Sequence, residues 1–242
     1  MKRILFGFVI VLMAWPGTLL AGDASSLSLE KADRVLSNAV KVLEEALNVP
    51  EGKEEIPPSL VRSAAGVGIF PGIIKGGFLV GGQAGDGFLL RHDAETGQWY
   101  GPAFYSFGSA SFGLQAGVEG IDVLLFVRTE RGLDGLLKNQ ATLGGDVSVA
   151  AGPVGRGAST GVSDRSMDAE VLSYTHSVGL FAGMSVSGAK ITPRDAWNYA
   201  FHKRKLTAKQ ILMEVPAAHH TKVRRLIELL QKYAMRKDRR KK

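Results

Sequence analysis

The apolar positions of this chain change period along its length. In LSLEKADRVLSNAVKVLEEALN they fall at Leu29, Ala32, Leu36, Ala39, Leu43 and Ala46, steps of three and four residues that predict an amphipathic helix. Ser28 stands where an N-cap is expected, with Glu30 in the first turn, and Pro50, Gly52 and the pair Pro57 and Pro58 end the element. A short helix over 59–65 follows, with Ser59 as its cap. From Gly66 the period becomes two and glycine punctuates it: GVGIF, GGFLVGGQ, GFLLRHD, AFYSFGSASFGLQAGVEG and DVLLFVRT all predict strands, with a hairpin turn over Asp93 to Gly97. A short amphipathic helix is predicted over 131–140. DVSVAA and EVLSYTHSVGLFAGMSVSGAKI return to strand. LTAKQIL and HHTKVRRLIELLQKY are helical again, the latter with Val223, Leu226, Ile227, Leu230 and Tyr233 on one face. Helix, β-rich centre and helix in that order imply an α+β fold: a glycine-rich, mostly antiparallel β core flanked by an N-terminal amphipathic helix and C-terminal helices.

Composition sharpens the picture. Half of the 30 glycines lie between Gly66 and Gly120, where they suit turns, bulges and close backbone approach. The first residues, MKRILFGFVIVLMAWPGTLLAGDAS, have a positive start at Lys2 and Arg3, an apolar run to Trp15 and small residues at Ala21 and Gly22, the layout of a secretory leader. An uncleaved anchor is the alternative. The organisation expected is leader over 1–22, helical segment over 25–57, β-rich domain over 58–200, helical segment over 201–234 and basic tail over 235–242. With no cysteine there is no disulfide and no lipid-modified cysteine after the leader, so the expected location is periplasmic or secreted, peripheral to a membrane.

Charge is unevenly spread. Of the formal net +7, residues 4–221 contribute −3 (18 basic, 21 acidic), whereas residues 222–242 contribute +8 (10 basic, 2 acidic). The basicity belongs to an appendage. No spacing selects a catalytic group. Gly81 to Gly87 lacks the dinucleotide pattern, Gly52 with Lys53 is no phosphate loop, and Ser185 lacks the second glycine of a nucleophile elbow. The histidines at 92, 176, 202, 219 and 220 show no metal spacing. The reading is non-enzymatic, with no cofactor and no metal, and an exported chain without interleaved aromatics and basic residues argues against nucleic acid.

Four segments in order, AAGVGIFPGIIKGGFLVGGQAGDGFLLRHD, GQWYGPAFYSFGSASFGLQAGVEGIDVLLFV, LGGDVSVAAGPVGR and SYTHSVGLFAGMSVSGAKI, resemble the SYLF domain from about Pro58 to Ile191. That family is also described as an actin-binding domain of fungal endocytic adaptors, and it includes exported bacterial members. The resemblance implies a non-enzymatic module, phosphoinositide binding at the N-terminal end of the domain, and in some members actin bundling. This chain departs from the family at Trp99-Tyr100-Gly101-Pro102, where Trp-Ser-x-Pro is usual, and after Asn198, where Phe201 and His202 replace Tyr-Gly.

These features set the candidate sites. In the turn after DVSVAA, Gly155 and Gly157 flank Arg156, which serves either a strand-ending turn or a lipid-phosphate site. Lys75 beside Phe78 and Leu79 is either a headgroup contact next to an apolar hairpin or an edge-strand guard. Trp99 is an interfacial anchor or a core residue. Arg224, Arg225, Arg236, Lys237, Arg239 and Arg240 form the cationic end, either adsorbing to acidic lipid or simply solvated. The function expected is binding of anionic phospholipid at the cell envelope; the alternative is a scaffold for an envelope protein, with the tail only docking it. Export makes actin an improbable partner.

Overall fold

A computed structural model describes residues 20–48, 56–152, 168–177, 180–183 and 186–238. Six α-helices and seven strands are found among them. Helix α1 (Leu20–Leu47) and the short α2 (Pro58–Ser63) precede two very long strands, β1 (Gly66–His92) and β2 (Trp99–Val127). Then come α3 (Glu130–Leu136), β3 (Ala141–Thr142), β4 (Val149–Ala151), β5 (Val171–Ser177), β6 (Leu180–Gly183) and β7 (Lys190–Pro193). Helices α4 (Asp195–His202), α5 (Ala208–Glu214) and α6 (Thr221–Ala234) close the fold, with a 3₁₀ turn over Ala217–His219. The class is α+β. Every ladder is antiparallel except β4 on β5.

β2 is the spine. β1 lies along one edge of it from Gly66 opposite Val127 to His92 opposite Trp99. On its other edge β7 covers Tyr105 to Gly108, and β5 covers Asp122 to Val127. The hairpin turn is where the sequence predicts it: the Asp93 carboxylate accepts from the amides of Glu95 and Thr96, and Gly97 takes a φ of +71°. Those donors, that of Thr96 above all, hold the Asp93 carboxyl below the usual range.

The segments predicted as several strands are one ribbon that doubles back on itself. A Cβ at Gly87 would overlap the Ile69 carbonyl and the Phe70 ring; one at Gly68 would lie 2.7 Å from a Leu89 methyl, and one at Gly85 would lie 3.0 Å from Ile73. Residues 68, 70 and 73 thus meet 89, 87 and 85, which centres the fold on residues 78 and 79. The Phe70 ring of β1 lies 5.5 Å from the Phe107 ring of β2. At that centre the register slips: Gly77 faces Gly117 but Leu79 faces Gly113, so three residues of β2, 114–116, stand against one of β1 and two are extra. Glycine is required wherever the two halves press together, because a side chain there has nowhere to go.

Both faces of the folded ribbon are covered, so its strands read as continuous apolar runs. Val67, Ile69, Phe88, Leu90, Phe104, Leu124 and Phe126 pack under α1, α2, α4 and α6. Phe70, Leu89, Tyr105, Phe107, Val123 and Leu125 pack with α3, α5, β3 and β7. Alternate residues therefore serve alternate cores.

Several expectations are corrected. Ser28 is not a cap: α1 already runs from Leu20, and the Ser28 hydroxyl donates to the Ala24 carbonyl at 2.8 Å. The cap of α2 is Pro57, not Ser59. The third helix stops at Leu136 and is capped by Thr129, whose hydroxyl accepts from the Gly132 amide. Helix α4 has no predicted counterpart; it forms because Trp197 and Ala200 bury against β2 while Asn198 bonds to it.

Candidate functional site

Three groups of residues stand out by chemistry. The first is the cationic end. The apolar face of α6 is buried as predicted at Val223, Leu226, Ile227, Leu230 and Tyr233. Two of its basic residues face inward and clamp α1: Lys222 Nζ donates to Asp33 Oδ2 at 2.6 Å and to Ser37 Oγ at 2.7 Å, and Arg225 Nη2 donates to Glu44 Oε1 at 2.7 Å. Arg225 thus carries an ion pair to α1 while its side chain stays half exposed. Arg224, Lys232 and Lys237 are exposed and make no ion pair among the described residues. The Arg236 guanidinium sits 5.1 Å from the centre of the Tyr233 ring, and the Tyr233 hydroxyl donates to the Ile56 carbonyl at 2.6 Å.

The point from which the basic tail leaves is fixed. Asp238 accepts from the Ser59 amide at 2.9 Å and from Arg62 at 3.4 Å, and Arg62 in turn donates to the Ala234 carbonyl. The tail is thus rooted on α2, whose end leads straight into the open end of the ribbon: the Ala65 amide donates to the Val127 carbonyl and its carbonyl accepts from the His92 amide, each at 2.8 Å. Arg239 and Arg240 lie outside the described residues, as does Arg156 with the turn around it. Gly152, which opens that turn, has no room for a side chain, because a Cβ there would meet the Tyr174 ring.

The second group is the apex of the folded ribbon. The backbone of Phe78 and Leu79 sits at the reversal. Residues 76–85 and 108–118 contain no ionisable side chain. Charge returns at both margins: half-buried Lys75 is in register with Glu119 on one side, and Asp86 pairs with Arg194 at 2.6 Å on the other. Ile74, next to the margin, is 60% exposed. Between Ser109 and Ile121 no described strand pairs with the second edge of β2. Trp99, grouped with Phe78 and Leu79 by its size, is elsewhere. It is 5% exposed at the open end and stacks on His92 at 4.5 Å, a core position that excludes the role of interfacial anchor.

The third group is one that spacing does not reveal. His176 and Asp122 are register partners on β5 and β2, with Nδ1 to Oδ2 at 3.2 Å; Asp122 Oδ1 accepts from the Gly72 amide, and Glu45 of α1 approaches the imidazole at 3.8 Å. This network ties α1 to the sheet. The strand alternation around DVLLFV and SYTH signals the two strands but not their pairing. Two further histidines serve packing. His202 Nε2 bonds the Pro102 carbonyl at 2.8 Å, and burial lowers its pKa; burial likewise lowers that of His220, which lies against the Phe201 ring. Among the described residues no helix is long and apolar enough to cross a membrane.

Comparison with known proteins adds what geometry does not carry. The family model described as "Ysc84: Las17-binding protein actin regulator" matches residues 108–233, just over half of the 242. The chain is 36% identical over 186 residues to LAS seventeen-binding protein 3 of Saccharomyces cerevisiae, covering 76% of this chain and 39% of that protein. It is 35% identical over 195 residues to Protein YSC84 of the same yeast, covering 78% and 40%. With SH3 domain-containing YSC84-like protein 1 of Bos taurus it shares 33% identity over 178 residues, covering 72% and 51%. The chain thus spans from about two fifths to half of the length of these relatives, of which the first is named for binding and none is named as an enzyme. No solved structure matches. The matched region takes in most of the ribbon's second strand, the rest of the sheet and the closing helices, and the chain belongs to the Ysc84 family, the SYLF family its sequence resembles.

Proposed function

We propose that this protein is a non-catalytic binding module that docks on anionic phospholipid through the cationic end of α6 and the chain that follows it. The observation that carries the reading is the concentration of charge: +8 over residues 222–242, against −3 for residues 4–221. The fold uses Lys222, Arg225 and Asp238 internally and leaves Arg224, Lys232 and Lys237 exposed around the rooted tail. A basic segment near an acidic leaflet gains roughly 1 kcal/mol per residue, screened beyond about a Debye length. Adsorption of this kind is reversible and salt-sensitive.

The test is flotation of the full chain with phosphatidylcholine vesicles, with and without phosphatidylglycerol. Truncation at residue 235 is the wrong control, since it also removes the Asp238 clamp on α2. Substitution of Lys237, Arg239, Arg240, Lys241 and Lys242 by glutamine keeps the clamp. Binding to the acidic vesicles at low salt, lost by at least about tenfold in this variant and in about 0.5 M salt, supports the reading. Absence of binding, or equal binding to neutral vesicles, overturns it.

A second reading is a protein-binding adaptor. It is favoured by the printed family description, which names Las17 binding and actin regulation. The expectation that export makes actin an improbable partner has no independent support, so cosedimentation of the same two proteins with filamentous actin stands beside the vesicle experiment. Cosedimentation without vesicle binding favours this second reading.

A further inference from the structure

Among the described residues, the tail root and the ribbon apex are two parts with membrane-like composition, and the fold puts them at opposite ends of the ribbon. The root is on α2, which leads into Gly66 at the open end. The apex lies twelve residues further along β1, at Phe78 and Leu79, roughly 40 Å of extended strand away. The headgroup region of one leaflet is only about 5–8 Å deep, so a molecule standing on either end keeps the other out of that leaflet. Lying flat would let both ends touch one bilayer, but it would press a body of net charge −3, with Glu30 and Glu45 exposed along α1, against acidic lipid.

We infer that the two ends engage two different bilayers, so that the protein bridges membranes. The inference rests on the proposed docking of the cationic end and adds a second partner at the apex. The cationic end adsorbs to one acidic surface by charge. The apex, with no ionisable residue in 76–85 or 108–118 and charged margins at Lys75, Glu119, Asp86 and Arg194, enters the headgroup–acyl boundary of another. Its insertion is shallow. The outer edges of a two-stranded ribbon carry backbone groups that hydrocarbon cannot satisfy, and the charged margins belong at the level of water and headgroups. The open stretch of the β2 edge would also suit strand pairing with a second copy; the composition favours lipid, and the experiment separates the two.

The experiment mixes two populations of phosphatidylcholine–phosphatidylglycerol vesicles carrying different dyes and reads both bound protein by flotation and vesicle clustering by two-colour cross-correlation. The full chain is expected to bind and to cluster. The paired substitution Phe78→Glu with Leu79→Glu is expected to keep binding within about twofold while clustering falls about tenfold. Ile74→Glu, at a residue already exposed, is the second variant and guards against misfolding of the first, which circular dichroism also checks. A peptide of residues 235–242 is expected to bind without clustering. Binding by the full chain without clustering, or clustering unchanged in both apex variants, overturns the bridge and leaves the docking reading standing. Clustering by the peptide alone overturns it too. A dimer in sedimentation that the apex variants abolish reassigns the apex to a second copy. Failure of the full chain to bind at low salt removes both proposals.

Discussion

The two ends of the folded ribbon are made of similar residues put to different uses. Toward the open end, glycine makes room: Gly68 and Gly87 let one half of the ribbon lie against the other, and neighbouring polar groups are consumed by packing. Buried Asn198 accepts from the Phe104 amide at 2.7 Å, so a helix side chain completes the strand edge, and the stack of Trp99 on His92 closes the hairpin. At the apex, glycine is as frequent and the fit loosens by degrees: a Cβ at Gly85 would lie 3.0 Å from Ile73 and one at Gly82 3.2 Å from the Ser109 carbonyl, while Gly120, just beyond the apex, has nothing within contact range. Of the apex residues whose burial is described, 76, 81–85 and 108–110, none belongs to either core. Glycine that packing requires belongs to the fold; a glycine in open space, such as Gly120, does not.

The sharpest way to break this contrast is Gly87→Ala. With its Cβ overlapping the Ile69 carbonyl, the two halves must separate, and we expect a loss of about 3 kcal/mol or more in urea denaturation. Retention of wild-type stability would mean that the halves do not pack as described. Next is Asn198→Ala, which strands the buried Phe104 amide and is expected to cost about 2 kcal/mol by the same measurement.

Acid provides a smaller and graded test. His202 and His220 are held neutral by burial, with pKa values below the ordinary range. Between those lowered values and the unfolded value of about 6.5, the unfolded chain binds more protons, so stability falls as pH drops through that window. Thermal scans are expected to show a Tm decreasing from pH 7 to pH 5, and His202→Gln, which keeps a donor for the Pro102 carbonyl, to flatten that slope. A Tm that rises on acidification would contradict the burial of both rings. Smallest is Gly120→Ala, expected to shift stability by less than about 0.5 kcal/mol because its Cβ meets nothing and its φ is not left-handed. A large loss there would erase the difference between the two regions.

Much of this was readable along the chain where the cause is local. The stripe of Val223 to Tyr233, the turn at Asp93 to Gly97 and the two-residue period after Gly66 each arise from neighbours within a few positions, and each appears where the pattern puts it. Boundaries were less secure. The helix before Pro50 extends back to Leu20 past a plausible cap, and GGFLVGGQ and GFLLRHD join into one strand because the ladder with β2 continues through the glycines. Helix α4 is too short for its apolar set, Trp197, Ala200 and Phe201, to stand out along the chain, and its contacts with β2 hold it.

The candidate sites divide in the same way. That the chain is non-uniformly charged, that its terminus is basic and that a long stretch has no ionisable group are properties of composition, and no fold is needed to see them. Which cations remain available is decided by tertiary contacts: Lys222 and Arg225 differ from Arg224 only in what α1 presents to them, Asp33 and Glu44. Likewise Trp99 is a core residue because the hairpin closes over it, and Asp122 meets His176 because β5 pairs in that register. The separation of apex from tail root depends on a strand reversing at residue 78 and on Asp238 reaching back to Ser59. Period, charge and turn chemistry act over a few residues and are written in order along the chain; the Asp122–His176, Ser59–Asp238, Glu44–Arg225 and Asp33–Lys222 contacts join positions 54 to 189 residues apart and exist only once the ribbon has folded over.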